Sequence, residues 1–441
     1  MAVEQQLWGP ETSKAVANFP VSGEPVPAAV VRMLGRLKAA AARANADLGL
    51  LDAELAERIA AAADAVAAGE HDAQFPIDVF QTGSGTSTNT NANEVIANPA
   101  GEGANPNDHV NMGQSSNDVF PSAVHLAAVG EATEQLLPAL EHLAAALGDK
   151  ADLWRDEVKA GRTHMMDAVP VTLGQEFGGY AAQIRLGHAR VSDALPRAAQ
   201  VPLGGTATGT GLNTHAEFAQ RAREKLREAT GLAVEAPEDP FEAQGNRDAL
   251  VELSGALKVV AVSLTKIAND FVIMGSGPRT GFVELFLPEL QKGSSIMPGK
   301  VNPVIPEVVL QVAGQVIGND AAITIAGTQG NFELNVRVPV IARNLLHSIT
   351  ILSNVSRLLA DRCVTGLEAN TESLTRSAES TPAIATALNP HIGYDKATAI
   401  VKEAVASKRT IREVAIEQGV EEGVLDEALD LRRMARGSSA G

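Results

Sequence analysis

The sequence predicts a mainly α-helical protein in which several long helices form a central bundle. Of its 441 residues, 45% are hydrophobic but only 3% are aromatic, and the apolar residues are mostly alanine, leucine, valine and isoleucine. This mixture favours close helix packing over aromatic-rich sheets. The second observation is the length of the apolar segments that follow Ser122, and the third is the concentration of polar, glycine-rich sequence between those segments.

Five long segments carry apolar residues three and four positions apart, which is the spacing of one helix face. They are 122–154, 175–195, 249–274, 306–326 and 339–367. In 249–274 the apolar stripe runs from Leu250 to Phe271, and residues such as Val251 and Val272 widen it. A helix this apolar must be covered on several sides, and one chain supplies too few long helices to cover them all. We therefore expect a bundle assembled from several subunits.

The pattern divides the chain into three parts. Residues 1–114 alternate short helical patches with polar loops, and residues 115–370 contain the long helices. Residues 371–441 are more charged and carry breaks at Pro382, Pro390 and Gly393. We predict an N-terminal helical domain, a central long-helix domain and a small C-terminal helical domain. The last residues, 435–441, are small and polar and predict a disordered tail.

Charge and cysteine content exclude several classes of function. A formal net charge of -17 leaves no broad basic surface for nucleic acid or anionic lipid, so an anionic substrate must be captured locally. The single cysteine, Cys363, excludes an intrachain disulfide and fits a reducing cytoplasm. The histidines have no metal-ligand spacing. No apolar run reaches membrane-spanning length, and the first residues lack the features of a secretory signal. These observations predict a cytoplasmic protein with no metal, no nucleic-acid partner and no membrane association.

The most informative polar segment is GSSIMPGKVNP, which runs from Gly293 to Pro303. Its glycine and serine residues predict a flap in which Ser294 or Ser295 closes over a substrate, and its prolines stiffen the remainder. Lys300 and Asn302, two residues apart in an extended stretch, present a cation and an amide donor on the same side. Such a pair suits a carboxylate whose negative charge grows during a reaction. Each residue alone fits a solvated surface loop, but the ordered combination favours a site.

Two further loops are dense in neutral hydrogen-bonding groups. They are QTGSGTSTNTNANE at 81–94 and NMGQSSND at 111–118. Neutral donors suit carboxylate oxygens, and the candidates are Ser84, Thr86, Ser115, Ser116 and Asn117. Helix capping is the competing interpretation, because serine and asparagine are also the favoured cap residues. Both interpretations can hold for different members of the set.

A fourth polar segment, GRTHMMDAVP at 161–170, carries Thr163 beside His164 and is interpreted as a loop. Histidine is the usual proton carrier near neutral pH. Glu307, in the first turn after Pro306, could orient and polarise it if the fold brings the two together. In the alternative, Glu307 complements the helix dipole and His164 satisfies a hydrogen bond in the core.

In this order, the segments resemble those of the fumarase/aspartase superfamily, and within it the class II fumarases. The resemblance runs from LWGPETSKAVANFPVSG at 7–23 through LNPHIGYDKA at 388–397. Thr163-His164 and the Gly299 of MPGK favour a fumarase over an aspartase, which typically has glutamine and alanine at those two places. The resemblance implies reversible hydration of fumarate to (S)-malate by a cofactor-free homotetramer of three-domain subunits with shared active sites. An aspartate ammonia-lyase and a non-catalytic structural homologue are the alternatives.

The resemblance also implies a role for each candidate residue. Ser294 matches the base that removes the C3 proton of malate, and Lys300 and Asn302 match the groups that stabilise the resulting aci-carboxylate. His164, paired with Glu307, matches the group that handles the departing or attacking water. The residues that match substrate-carboxylate contacts are Ser84, Thr86, Ser116, Asn117 and Thr163.

Two further expectations concern details of the site. Backbone amides of the Gly293–Ser295 loop are our hypothesis for what lowers the pKa of the Ser294 hydroxyl, because a serine is otherwise a poor base. A candidate second carboxylate site falls at Asn107 and Asp108, where Asn105 replaces the histidine that is usual in the family.

Overall fold

The computed structural model describes residues 6–437, most of which lie in α-helices. The predicted disordered tail at 435–441 is wrong for Ala435 and Arg436, which lie in the last helix, and residues 438–441 lie outside the described range. The helices, in chain order, are α1 (Pro10–Asn18), α2 (Ala28–Asp47), α3 (Ala53–Ala67), α4 (Thr86–Ala100), α5 (Ser116–Glu131), α6 (Leu137–Leu153), α7 (Leu173–Ala198), α8 (Phe218–Thr230), α9 (Pro240–Gly245), α10 (Asp248–Met274), α11 (Val304–Gly327), α12 (Val338–Arg362), α13 (Thr371–Ser380), α14 (Asn389–Ile392), α15 (Tyr394–Ser407), α16 (Ile411–Glu417), α17 (Glu422–Ala428) and α18 (Leu431–Arg436).

Short strands form three two-stranded antiparallel ladders within residues 6–437. The strands are β1 (Val158–Thr163), β2 (Met166–Thr172), β3 (Leu285–Phe286), β4 (Gly330–Asn331), β5 (Leu334–Asn335) and β6 (Glu368–Ala369). β1 pairs with β2, β3 with β6, and β4 with β5. The predicted mainly α class is confirmed, with strands confined to these ladders.

The five long apolar segments are helical, as their periodicity predicted. α10 contains the stripe from Leu250 to Phe271, and each residue of that stripe is at most 1% exposed. The segment 122–154 consists of α5 and α6, joined by a π-helical turn over Ala132–Leu136. The other three segments are α7, α11 and α12. Burial of the stripe follows from its spacing, because residues three and four apart share one helix face.

The chain forms two compact units. Unit 1 comprises Met1–Ala139, Gly187–Val262 and Val312–Asn354, and unit 2 comprises Leu140–Leu186, Ser263–Gln311 and Val355–Gly441. The divisions fall inside α6, α7, α10, α11 and α12, so each of these helices contributes residues to both units. The division into three domains at residues 114 and 370 stays a prediction.

Unit 1 is built around α2, which packs against α3, α5 and α8. Leu34 and Leu37 on α2 are fully buried. Phe120 on α5 is also fully buried and lies against the turn that begins α4. This packing places the N-terminal ends of α4 and α5, and therefore the polar loops that precede them, on one well-packed core.

Unit 2 concentrates its aromatic residues in one cluster. Phe177 packs edge-on against Trp154 with 4.8 Å between ring centroids and stacks on Phe271 at 5.4 Å, while Tyr180 meets Phe271 edge-on at 5.9 Å. A separate apolar cluster, which includes Leu388, Ile400 and other residues through Ala428, holds the short C-terminal helices together. The few aromatic residues thus stiffen the helices next to the β1–β2 hairpin.

The expectation that no apolar run reaches membrane-spanning length is wrong for α11. By length and composition alone this helix is long and apolar enough to cross a membrane, with a mean hydropathy of 1.3 and 33% of the apolar window buried. Yet Asp320 accepts a hydrogen bond from Ser254 (2.7 Å) and pairs with Lys258 (2.6 Å), both on α10. Such contacts within unit 1 are those of a helix in a protein bundle, and the single hydropathy signal is weak evidence for a membrane span.

Gly85, immediately before α4, tests how tightly this part of unit 1 is packed. Its φ is +79°, and a Cβ there would lie 2.2 Å from the Phe120 ring. Gly49 has a similar φ of +70°, but a Cβ there would meet nothing within 4 Å. We expect Gly49→Ala to cost about 1 kcal/mol for the left-handed backbone alone. Gly85→Ala should cost roughly 1–3 kcal/mol more, because Phe120 must move in a packed core. Thermal unfolding of both variants measures the difference, and equal melting temperatures would contradict the packing argument.

Candidate active site

The segment predicted as a loop at 81–94 is mostly helical, because α4 begins at Thr86, and Ser84 lies in the turn just before that helix. The hydroxyls of Ser84 and Thr86 are 2.8 Å apart and hydrogen-bonded to each other. Ser84 is buried and Thr86 is exposed. The carbonyl of Gly83 accepts a hydrogen bond from the Val338 N–H at 3.0 Å, which ties this turn to the first residue of α12. The turn is therefore fixed by the backbone, and its two hydroxyls form a pair of neutral donors.

The three candidate residues at 115–117 have different partners. Ser115 is the N-cap of α5, and its hydroxyl accepts from the Asn117 N–H at 3.2 Å. The capping interpretation is thus confirmed for Ser115. The Ser116 hydroxyl accepts from Asn89 of α4 at 3.1 Å, and Asn117 donates to the Ala207 carbonyl at 2.9 Å. Asn89 therefore links the two polar loops that the sequence singled out separately.

Asp118 is the residue on which this loop depends, and the sequence analysis missed it. Its fully buried carboxylate accepts from the N–H of Ser115 at 2.8 Å, Gly204 at 2.9 Å and Thr206 at 3.0 Å. Burial raises its pKa to about 6, against the opposing effect of these donors. The Ser-x-x-Asp spacing of a capping box at 115–118 could have identified it. Asp118 joins the 203–211 glycine-rich loop to the beginning of α5.

In unit 2, the segment predicted as a loop at 161–170 is largely a β-hairpin. Thr163 ends β1, and His164 and Met165 form the turn before β2. Both turn residues have positive φ, +55° and +63°, which is the backbone of a type I′ hairpin turn. The loop interpretation was wrong because most of the segment pairs across the hairpin, with a β-bulge between Ala160 and Arg162. The hairpin presents Thr163 and His164 at an exposed tip.

A buried network of charges fixes the base of this hairpin. Glu284, which is 1% exposed, lies 2.8 Å from Lys159 and 2.8 Å from Arg162. Lys159 also lies 2.8 Å from Glu176, on α7. Arg162, the neighbour of Thr163, stacks over Phe282 at 4.6 Å. The sequence analysis missed this network because Glu284 lies more than one hundred residues along the chain from the other three members.

The 293–302 loop is pinned at its base. The Gly293 N–H donates to the Lys300 carbonyl at 3.0 Å, and the Asn302 side chain donates to the Gly293 carbonyl at 2.6 Å. A Cβ on Gly293 would lie 2.1 Å from the Lys300 carbonyl oxygen, so only glycine fits. Lys300 is exposed. The Asn302 amide therefore donates within the loop itself, whereas the Lys300 side chain is exposed.

Ser294 receives two backbone hydrogen bonds. Its Oγ accepts from the N–H groups of Ile296 at 3.2 Å and Met297 at 3.1 Å. The hypothesis that backbone amides of Gly293–Ser295 stabilise the Ser294 oxygen named the wrong residues. The loop turns back after Ser295, so the N–H groups of Ile296 and Met297 reach that oxygen instead. Two donors that converge on a hydroxyl oxygen favour its alkoxide form, as in an oxyanion hole.

The remaining candidates are not joined within one chain. In residues 6–437, no hydrogen bond or ion pair connects His164 to Glu307, which lies in the first turn of α11. At the candidate second site, the Asn105 side chain accepts from the N–H groups of Asn107 at 2.8 Å and Asp108 at 3.0 Å. The two backbone donors of the candidate second site are therefore already occupied.

Two other sequence expectations concern the single cysteine and metal binding. Cys363 is buried, as expected, and burial raises the pKa of its thiol to about 12. Such a thiol stays protonated and packs as a small apolar side chain. Across the part of the chain that the structure describes, no group of three or more histidine, cysteine, aspartate or glutamate side chains could hold a metal ion.

Comparison with known proteins identifies the family of this chain. The family model described as Lyase matches residues 2–318, and the model described as Fumarase C C-terminus matches residues 384–436. A protein of Mycobacterium tuberculosis named "Fumarate hydratase class II" is 56% identical over 441 residues, which cover 98% of this chain and 93% of that protein. The chain belongs to the class II fumarate hydratase family.

Two further members of the class II fumarate hydratase family extend the likeness. The protein of that name from Corynebacterium glutamicum is 55% identical over 439 residues, covering 97% of this chain and 93% of that protein. The crystal structure of class II fumarase from Schistosoma mansoni superimposes with a TM-score of 0.96 at 37% identity, covering 98% of this chain and 96% of that one. The fold class predicted from the sequence is thus confirmed as that of class II fumarases.

Glu284 offers a test of the buried network in this class II fumarate hydratase fold. Glu284→Gln leaves the buried Lys159 and the half-buried Arg162 with one remaining carboxylate, and breaking such a buried pair costs about 3–5 kcal/mol. Glu176→Gln is the matched control, because Glu176 contacts only Lys159 and is 29% exposed. We expect a clearly larger fall in melting temperature for Glu284→Gln. Equal falls would mean that Glu284 does not carry the network.

Proposed function

We propose that the chain is a hydro-lyase that catalyses the reversible hydration of fumarate to (S)-malate. The reaction is an anti addition and elimination of water through an aci-carboxylate intermediate. The observation that carries this proposal is the near-full-length likeness to proteins named Fumarate hydratase class II. The residues quoted in the sequence analysis supply the chemistry.

Ser294 is the proposed base. In elimination from malate, its alkoxide takes the proton from C3, and the electron pair of the broken C–H bond moves into the adjacent carboxylate. A serine does this only if its alkoxide is stabilised. The N–H groups of Ile296 and Met297, both directed at Ser294 Oγ, supply that stabilisation.

Lys300 and Asn302 are proposed to hold the aci-carboxylate, which carries one more negative charge than the carboxylate it came from. A fixed ammonium lowers the energy of that charge most when water is excluded. In a protein with a formal net charge of -17, this attraction must be local. Asn302 first has to release the Gly293 carbonyl, or share its amide with it, when the substrate binds.

His164 is proposed to handle the water, with Glu307 as its orienting partner. It protonates the C2 hydroxyl as that group leaves, and in hydration it accepts the proton of the attacking water. Because the two side chains are not joined within one chain, the pairing requires a second subunit. A homotetramer with shared sites provides one.

Exposed apolar side chains support assembly of that kind. On α10, Val262 is 55% exposed, and on α11 Ile325 is 67% exposed. Large exposed apolar side chains on long helices are typical of surfaces that other subunits cover. Four such helices packed together would also account for the high hydropathy of α11 without a membrane.

The remaining assignments follow from the same proposal. Substrate-carboxylate contacts are assigned to Ser84, Thr86, Ser115, Ser116, Asn117, Thr163, Lys300 and Asn302. The Ser115 hydroxyl already accepts a hydrogen bond as the cap of α5, so it would contact the substrate carboxylate by donating its proton. A second carboxylate site at Asn107 and Asp108 would require Asn105 to move away first. We assign the enzyme to the tricarboxylic acid cycle in the cytoplasm, without a cofactor.

A substrate panel tests the proposed function. With purified protein at neutral pH, the ultraviolet absorbance of fumarate should fall as malate forms, and it should rise when malate is supplied instead. Aspartate should give no ammonia. Ammonia release from aspartate without malate turnover would make the chain an aspartate ammonia-lyase, and inactivity with all three substrates would favour a non-catalytic homologue.

Lys300 tests the proposed mechanism. Lys300→Ala should lower kcat by on the order of 100-fold or more, because it removes the cation that faces the developing charge. The assembly should stay intact, since an exposed lysine contributes little to folding. Lys292→Ala, an exposed lysine eight positions earlier, is the matched control and should leave kcat unchanged. Light scattering reports assembly, and dissociation of Lys300→Ala would make Lys300 an assembly residue.

A further inference from the structure

Lys38, in the middle of α2, is buried in an unusual way. Its side chain is 0% exposed, yet within residues 6–437 no carboxylate lies within ion-pair distance of its ammonium. Its hydrogen-bond partners are two neutral amide oxygens, those of Gln114 at 3.2 Å and Asn111 at 3.4 Å. Burying an ammonium without an ion-pair partner is costly, so a residue of this kind is expected to serve a purpose.

The immediate surroundings of Lys38 carry one compensating charge. Burial lowers the pKa of the Lys38 ammonium to about 7, and the carboxylate of Asp118 opposes this shift. That carboxylate is itself occupied by the N–H groups of Ser115, Gly204 and Thr206. Lys38 and Asp118 therefore lie on the same core beneath the beginning of α5 without contacting each other directly.

A chain of amides connects Lys38 to the proposed substrate contacts. Asn111 Oδ1, which accepts from Lys38, also accepts from Asn89 Nδ2 at 3.1 Å. Asn89 Nδ2 is within 3.1 Å of the Ser116 hydroxyl as well. Because Asn111 Oδ1 faces two donors, its amide nitrogen is directed the other way, to the Gln114 carbonyl at 3.1 Å. The orientation of each amide follows from the position of the lysine.

We propose that Lys38 is a positioning residue for the dicarboxylate site. Through Asn111, Gln114 and Asn89 it holds the Ser116 hydroxyl in the arrangement that receives a substrate carboxylate, and its buried positive charge attracts that carboxylate from behind the loop. The inference rests on the proposed function, because it takes Ser116 as a substrate contact. It assigns a role to a residue that does not touch the substrate.

The test replaces Lys38 with methionine, which has a similar length but neither charge nor donor. The dissociation constant of succinate, a saturated dicarboxylate that cannot react, is measured by calorimetry, and KM and kcat are measured with fumarate. We expect the succinate constant and KM to rise together by about tenfold, as for the loss of one charge-assisted interaction, with a smaller change in kcat.

Leu37→Ala is the matched control, because Leu37 is equally buried on the same helix but has no polar contact. It should lower the melting temperature without changing the succinate constant. If Lys38 serves folding alone, Lys38→Met will behave like Leu37→Ala, and that result overturns the inference. Lys38→Gln, which keeps an amide donor but no charge, provides the same measurement if Lys38→Met does not fold.

The proposed function is tested separately, by measuring fumarate and malate conversion and succinate binding with the unsubstituted enzyme. If that enzyme converts neither fumarate nor malate but binds succinate, the hydratase assignment fails while the ratio of succinate constants still decides the role of Lys38. If the unsubstituted enzyme does not bind succinate, there is no dicarboxylate site to position, and the Lys38 inference is overturned.

Discussion

Two buried carboxylates, Asp118 and Glu284, are the constraint on which much of the geometry of the candidate site depends. In unit 1, Asp118 accepts backbone N–H groups from the beginning of α5 and from the glycine-rich loop at 203–211. In unit 2, Glu284 holds Lys159 and Arg162 at the base of the hairpin that ends in His164. A buried carboxylate without such partners would be strongly unfavourable, so each loop has essentially one way to satisfy it. This makes rigid supports out of segments that are rich in glycine and serine.

The chemistry proposed for the site matches this construction. Removing a proton next to a carboxylate creates charge that water alone stabilises poorly, so donors must be in place before the reaction begins. The two N–H groups at Ser294 Oγ and the pinned base of the 293–302 loop are examples of such preorganisation. The exposed Lys300 and the buried Lys38 would act from different positions, one on the reacting carboxylate and one behind the loop that binds a carboxylate.

The residues that the sequence identified differ in how the fold uses them. Ser115 was a candidate substrate contact, and the structure makes its hydroxyl a helix cap, because the first N–H groups of α5 need an acceptor. Thr163 and His164 were expected on a loop and lie instead at a hairpin tip, where the positive φ of the turn turns them outward. Asn302 was expected to face a ligand, and in the single chain its amide closes its own loop.

The sequence by itself determined the helical class, the positions of the long helices and the polar segments between them. Those features depend on local periodicity and composition, which neighbouring residues express directly. Only the tertiary structure decided that Asp118, Glu284 and Lys38 support the candidate site. Each of them acts on groups far away along the chain, and neither the capping-box spacing of Asp118 nor a charged residue in a helix or strand shows which distant donor or acceptor it will meet. The sequence therefore named the residues proposed to do the chemistry, whereas packing revealed those that hold them in place.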